Sequence, residues 1–305
     1  MQHSLGLKVS AHTIYYRRNN GHMNLQAQEK IKSFLIEDIG TGDLSADLIF
    51  DKNEQSSGIF VAKSDGIIAG LEVAQQVYDL LGQDATFIPT VADGDVIKKG
   101  EIIGRATGHI RTLLTGERVI LNLLQRMSGI ATFTHKAIET LNDPTIKICD
   151  TRKTAPGLRY FDKLAVKIGG GVNHRVGLYD GVMLKDNHIA YAGSITKAVE
   201  KVRKQIGQMV KIEVEIETET QLREAIDAKA DIIMFDNRTP EQVAAWSKLV
   251  PETILTEISG GITLDNLADY AHTGADYLSL GALTHSVVAF DISFNSSKEE
   301  KGQVN

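Results

Sequence analysis

Between residues 24 and 37 apolar side chains fall at Leu25, Ile31, Phe34, Leu35 and Ile36, a stripe that predicts an amphipathic helix. The stretch EDIGTGDLSADLIF that follows carries turn glycines with Asp and Ser in capping positions. From Ser57 to Gly108 the pattern changes to short apolar runs separated by Asp-Gly and Lys-Lys-Gly, which predicts strands joined by hairpins. LEVAQQVYDLL supplies one helix among them. VADGDVIKKGEIIGRATG has the strand spacing of the small β-sandwich of biotinyl and lipoyl carriers but lacks their lysine-bearing turn, so only architecture is read from it. Residues 113–141 are apolar at helical period, with Thr115 expected as N-cap, Glu117 in the first turn and a break near Ser128-Gly129.

Beyond that helix the pattern changes again. Strand-like runs TIKICDTRK, GVMLKDN, VKIEVEIET, ADIIMFDN, TILTEISGG and ADYLSLGAL alternate with helical stretches, at a spacing of roughly 20–24 residues from the third strand on. Six strands alternating with helices predict a parallel α/β barrel or an open sheet. Every run ends in polar residues, from Asp150-Thr151-Arg152-Lys153 to Ser279 through Gly281. A barrel gathers all such ends around one mouth, whereas an open sheet gathers only those beside its crevice. The expected fold is therefore α/β: an N-terminal α/β sandwich domain over residues 23–125, then an incomplete parallel α/β barrel over 126–285. Residues 286–296 alternate apolar and polar and are expected to return as a strand to the first domain.

Composition narrows the function. The chain has 305 residues with a formal net charge of −6, which gives no general attraction to nucleic acid, so anion binding must come from local clusters. Apolar runs are far shorter than the roughly 20 residues a bilayer span needs, and no membrane association is expected. The single cysteine, Cys149, lies in an apolar strand and reads as a core residue, which fits a reducing cytoplasm. The N-terminal segment lacks the apolar core of a signal peptide. Gly21-His22-Met23 reads as a cloning junction or an upstream start, and residues 1–22 are set aside from the fold.

Three constellations carry chemistry. Arg152, Lys153, His174, Arg175 and Lys185 converge at the expected mouth; they suit a ligand of two or more negative charges, or else internal salt bridges. Lys163 and Lys167 are assigned to a solvated helix face. Glu213, Glu215 and Glu217 share one face of a strand, and the cost of burying carboxylates under a helix layer points them inward, near Asp236. There they hold magnesium or sugar hydroxyls, or pair with the cations. Ser259-Gly260-Gly261 runs into a helix expected to begin near Thr263 and, with Gly281-Ala282, forms a candidate phosphate cradle. A zinc site from His174, His188 and Asp186 has no supporting spacing. The glycines Gly169 to Gly171 are read as ending a helix so that His174 and Arg175 can approach Lys185.

The motifs EDIGTGDLS, LLTGERVILNLLQRMSGIAT, DTRKTAPGLR, GGGVNHRVGLYDGVMLKDNHI, EVEIET, IIMFDN, SGGIT and SLGALTHS, in order from Ile36 to Phe294, resemble quinolinate phosphoribosyltransferases. The resemblance implies transfer of phosphoribosyl from 5-phosphoribosyl 1-pyrophosphate to quinolinate with decarboxylation, in de novo NAD biosynthesis. It implies a homodimer or larger homo-oligomer with a shared site, in which Arg118 of a neighbouring subunit joins Arg152, His174, Arg175 and Lys185 on quinolinate. Lys153 is then expected on the pyrophosphate, and Glu215 and Asp236 on the ribose and magnesium. Ser259, Gly260, Gly261, Gly281 and Ala282 are expected around the 5′-phosphate. Lys153, Glu215 and Asp236 are the expected catalytic set. The ModD-like relatives share the fold but depart at the segments here intact as Gly169–Arg175 and Lys185–Ile189. A non-catalytic dicarboxylate-binding protein would keep the cations but need neither the carboxylate pair nor the glycine loops.

Overall fold

The computed structural model describes residues 25–297, so the expectation for residues 1–22 lies outside the described residues. The N-terminal part comprises α1 (Leu25–Ile39), α2 (Leu44–Ile49), β1 (Gln55–Ala62), β2 (Gly66–Ile67), α3 (Glu72–Leu81), β3 (Ala85–Pro89), β4 (Val96–Ile97) and β5 (Ile102–His109). The long helix α4 (Ile110–Leu141) leads into β6 (Lys147–Cys149), α5 (Arg159–Ile168), β7 (Val182–Leu184), α6 (Asp186–Ala192) and α7 (Ile195–Arg203). Then follow β8 (Ile212–Ile216), α8 (Glu219–Asp227), β9 (Ile232–Asp236), α9 (Pro240–Ser247), β10 (Leu255–Ser259), β11 (Tyr277–Ser279), the short α10 (Ala282–His285) and β12 (Ile292–Ser296).

Two sheets organise these elements. An antiparallel sheet runs β12-β1-β5-β3, so the last strand of the chain pairs with the first, Phe60 opposite Phe294. Phe60 also packs edge-on against Phe87 of β3. The second sheet is parallel, in the order β6-β11-β10-β9-β8-β7. Its edges β6 and β7 do not pair; Val172 forms an isolated bridge to Cys149 beside β6. The barrel is therefore incomplete.

Alternation along its strands sorts the side chains. Ile212, Val214 and Ile216 of β8, and Ile233 and Phe235 of β9, belong to the apolar layer under the helices, where Phe235 meets Trp246. The intervening residues Glu213, Glu215, Ile232, Met234 and Asp236 face the barrel interior by the period of two. Capping follows the sequence: Thr218 and Thr239 each accept from the backbone amide of N3, and Gln221 and Gln242 complete the capping boxes.

Helix α4 departs from expectation at two points. It begins at Ile110 with His109 at the N-cap, because β5 feeds straight into it. Thr115 lies inside the helix, where its hydroxyl donates to Asp43, the residue that also caps α2. Nor does the helix break at Ser128-Gly129. Ser128 Oγ accepts from Ala69 N at 3.0 Å, and a Cβ on Gly129 would meet the Val288 carbonyl at 2.2 Å. The small pair is where two other segments dock on a continuous helix. Among the described residues, no helix is long and apolar enough to cross a membrane.

Candidate active site

Strand ends set the mouth. Arg152 and Lys153 follow β6, Lys185 follows β7, Glu215 lies near the end of β8, and Asp236 and Ser259 end β9 and β10 in adjacent register. The loop carrying His174 and Arg175 is fastened from beneath by a buried hub. Asp150 accepts from Lys163 Nζ at 2.5 Å, from Asn173 Nδ2 at 2.6 Å and from the His174 amide at 2.8 Å. Lys163 also donates to the His174 carbonyl. The solvated assignment of Lys163 is thus corrected: it is 3% exposed and ion-paired, because α5 turns it inward onto Asp150. Lys167, on the same helix, is half-buried and is not free.

The glutamates separate by depth. Glu213 is buried and lies 2.9 Å from His174 Nε2. Glu215, nearer the mouth, is paired with the Lys185 ammonium. Glu217 lies past the strand end and is exposed. Of the two open readings, internal pairing holds here for Lys185 and Glu215. Arg175 Nη1 donates to the Gly181 carbonyl at 2.9 Å, and burial together with the neighbouring Arg152 charge lowers its pKa. The Arg152 Nε is buried and has no hydrogen-bond partner, which leaves a donor available for an anion.

His174 is committed at both ring nitrogens. The Arg175 amide donates to Nδ1 at 2.8 Å, which puts the ring proton on Nε2, facing Glu213 and, at 3.6 Å, Glu257. Burial disfavours the charged ring, but the Glu213 hydrogen bond and the two carboxylates outweigh it and raise the His174 pKa. Glu257 itself is pushed up to about 7 by burial and by the Glu213 charge. Burial and the Glu257 charge raise the Cys149 thiol well above its ordinary value, so it stays a protonated core residue.

Glycines shape the other side of the mouth. Gly260 has φ +85°, and a Cβ there would meet Asn237 Oδ1 at 2.4 Å and Asp236 Oδ1 at 2.9 Å. Gly281 is close-packed on Lys153 Cδ and the His285 ring. The helix expected from Thr263 is absent: Leu267–Tyr270 forms a 3-10 turn, held back by Asn266 capping the Thr263 amide. Any phosphate held here therefore meets loop amides rather than a helix N-terminus. A cavity of about 270 Å³ adjoins Gly260 and Gly261, with Arg238, Thr239 and Tyr270 in its wall.

Arg118 is exposed on the first third of α4, near the Gly116 contact with α3, and is not gathered with the other cations. Asp150, Asn173 and Glu257 went unassigned in the sequence. Only the alternation Leu255-Glu257-Ser259 on an interior strand hinted at Glu257.

An antiparallel sheet domain joined to an open α/β barrel with cations, carboxylates and glycine loops at its mouth defines a two-domain α/β barrel protein. The comparisons with known proteins narrow that class. Residues 43–128 match the family Quinolinate phosphoribosyl transferase, N-terminal domain, and residues 130–295 match its C-terminal domain. The probable nicotinate-nucleotide pyrophosphorylase [carboxylating] of Bacillus subtilis is 53% identical over 287 residues, covering 92% of this chain and 99% of that protein. A mitochondrial quinolinate phosphoribosyltransferase [decarboxylating] of Nicotiana tabacum is 38% identical, covering 97% of this chain and 86% of its own. The crystal structure of NadC from Streptococcus pyogenes superposes with a TM-score of 0.87 at 40% identity, covering 91% of this chain and 98% of that one. The chain belongs to the quinolinate phosphoribosyl transferase family.

Proposed function

We propose that the protein transfers the phosphoribosyl group of 5-phosphoribosyl 1-pyrophosphate to quinolinate, releasing pyrophosphate and carbon dioxide and forming nicotinate mononucleotide for NAD biosynthesis. The observation that carries this reading is the joint presence, on neighbouring strand ends, of an unpartnered Arg152 Nε, the Lys185–Glu215 pair and the Gly260 loop against Asp236.

The cations come first. Quinolinate carries two carboxylates, which suit the planar forks of Arg152 and Arg175 and the ammonium of Lys185. His174 contributes from below with a ring made more basic by its carboxylate neighbours. Arg118 is proposed to reach the site from a second copy. Large apolar side chains exposed around the mouth and on α2, including Tyr179 at 80%, Tyr191 at 94% and Leu48 at 83%, support such a partner. Arrival of a substrate carboxylate at Lys185 frees Glu215 for the ribose.

Chemistry then needs position and charge more than a nucleophilic side chain. The pyridine nitrogen forms a bond to the anomeric carbon as the bond from that carbon to pyrophosphate breaks. Positive charge grows on the ribose, and the Glu215 and Asp236 carboxylates face it. Lys153, packed against Gly281, is proposed to meet the leaving pyrophosphate. Glu215 and Asp236 are the carboxylates that would hold a magnesium ion, whose hard oxygen preference they suit. Magnesium supplies charge neutralisation of the leaving group. As the adjacent carboxylate leaves as carbon dioxide, its bonding electron pair stays on the ring carbon, stabilised by the positive charge of the neighbouring nitrogen, and that carbon takes a proton.

A cytoplasmic location is proposed as well, supported by the one buried, unpaired cysteine. The enzymatic reading is tested by adding quinolinate to the protein with the phosphoribosyl donor and magnesium. Quinolinate-dependent pyrophosphate release is expected. Release driven by nicotinate instead would reassign the acceptor, and no release with either would leave only a binding protein.

A further inference from the structure

Lys153 is exposed, and its place is set by what holds its backbone. The loops that follow β6 and β11 are neighbours because those strands pair, Ser279 opposite Cys149. Between the loops, Thr284 Oγ1 donates to the Lys153 carbonyl at 3.0 Å. The Thr284 amide donates to the Gly281 carbonyl at 3.1 Å, and a Cβ on Gly281 would lie 3.0 Å from Lys153 Cδ. One buried threonine thus ties the Lys153 loop to the Gly281-Ala282 loop.

That threonine is itself anchored. Its carbonyl accepts from Arg126 Nη2 at 3.1 Å. Arg126, on α4, also forks onto Asp162 of α5: Nε donates to Oδ1 at 2.7 Å and Nη2 to Oδ2 at 2.9 Å. Asp162 is fully buried, and both its carboxylate oxygens accept from this one guanidinium. The next residue along α5, Lys163, braces a different loop, the one carrying His174 and Arg175, through Asp150. Two consecutive buried charges on α5 therefore hold two loops separately. A buried ion pair adds little net stability over packed apolar side chains, whereas a two-pronged fork fixes a direction. The proposed transfer itself gives no role to Arg126, Asp162 or Thr284.

We propose that Arg126, acting through Asp162 and Thr284, is the positioning residue for the phosphoribosyl-donor side of the site. It holds Lys153 and the Gly281-Ala282 loop in one frame and leaves the quinolinate side to the Asp150–Lys163 hub. The inference rests on the transfer reading for the roles of Lys153 and the Gly281 loop. Arg126→Lys keeps the charge but loses the planar fork, so it cannot grip both Asp162 oxygens and reach Thr284 at once. The Lys153 backbone then loses its fixed support, and donor binding suffers while the grip on the quinolinate carboxylates stays.

The experiment measures steady-state kinetics of the whole chain with both substrates varied. Arg126→Lys is expected to raise the KM of the phosphoribosyl donor at least about fivefold, with the quinolinate KM within about twofold of wild type. Two variants at Thr284 test the same link without disturbing the buried pair. Thr284→Val removes only the hydroxyl and should raise the donor KM about 3–10-fold. Thr284→Ser keeps the hydroxyl and should stay within about twofold of wild type, although it is the variant that loses a methyl group. In chains already carrying Lys153→Ala, Thr284→Val should change the donor kcat/KM by less than about twofold, because the group it positions is gone. Equal rises in both KM values, Thr284→Ser as impaired as Thr284→Val, or a full further loss in the Lys153→Ala background would each overturn the positioning role. Wild-type protein that releases no pyrophosphate overturns the transfer reading itself, so the two failures are told apart.

Discussion

Lys163 and Arg175 are both cationic but have different surroundings, and their substitutions should separate fold from function. Lys163 is sealed against Asp150, so Lys163→Ala strands a buried carboxylate and should cost about 3–5 kcal/mol of unfolding free energy. A denaturant titration checks this, and a loss under about 1 kcal/mol would contradict the buried hub. Arg175, facing the proposed quinolinate carboxylate, should behave differently. Arg175→Ala is expected to raise the quinolinate KM about 10–100-fold, the loss of a charged hydrogen bond of about 1.5–3 kcal/mol, with a smaller change in the KM of the phosphoribosyl donor. At this scale the sequence was legible where a polar residue ends a strand, as at Arg152, Lys185 and Asp236. It was not legible for Lys163, whose helical position suggested solvent, because its partner Asp150 sits 13 residues earlier, just past β6, and meets it only when α5 packs back on the barrel. Nor did it reveal that His174 turns Nε2 inward, since Glu213 and Glu257 approach it only through the barrel's closure.

Elements show a similar division. Period and capping residues located the barrel strands and helices because parallel strands buried on both sides carry strong local patterns. The ends of α4 were misplaced because β5 continues into it without a turn residue, and the Ser128-Gly129 pair imitates a helix break. The packing there makes a prediction. Alanine is favoured over glycine in a helix by about 1 kcal/mol, but a Cβ on Gly129 would lie 2.2 Å from a backbone carbonyl that cannot simply rotate away. The steric term should win, and Gly129→Ala should lower stability by about 1–3 kcal/mol. A rise in the thermal midpoint would mean that the tail does not dock on α4. The Gly260 loop is the functional counterpart. Gly260→Ala should raise the KM of the phosphoribosyl donor while leaving the quinolinate KM nearly unchanged, because its Cβ would crowd Asn237 and Asp236 and not the cations.

For the whole molecule, the sandwich and barrel halves are tied through α4 and by β12 pairing with β1, yet Arg118 remains exposed and apart from the mouth. If a second copy delivers it, chains carrying Arg118→Ala and chains carrying Arg175→Ala, each slow alone at quinolinate well below the variant KM, should regain part of the activity when mixed. Equal mixing allows up to about a quarter of all sites to be intact, counted over random dimers. No recovery at any ratio would make each site self-contained.

The central claim is the coupled transfer and decarboxylation, and it is tested most directly by quinolinate labelled with carbon-13 in the carboxylate next to the ring nitrogen. With the phosphoribosyl donor and magnesium present, labelled carbon dioxide should appear one-to-one with pyrophosphate and with nicotinate mononucleotide. Pyrophosphate release with the label retained in the product, or labelled carbon dioxide formed without the donor, would contradict it.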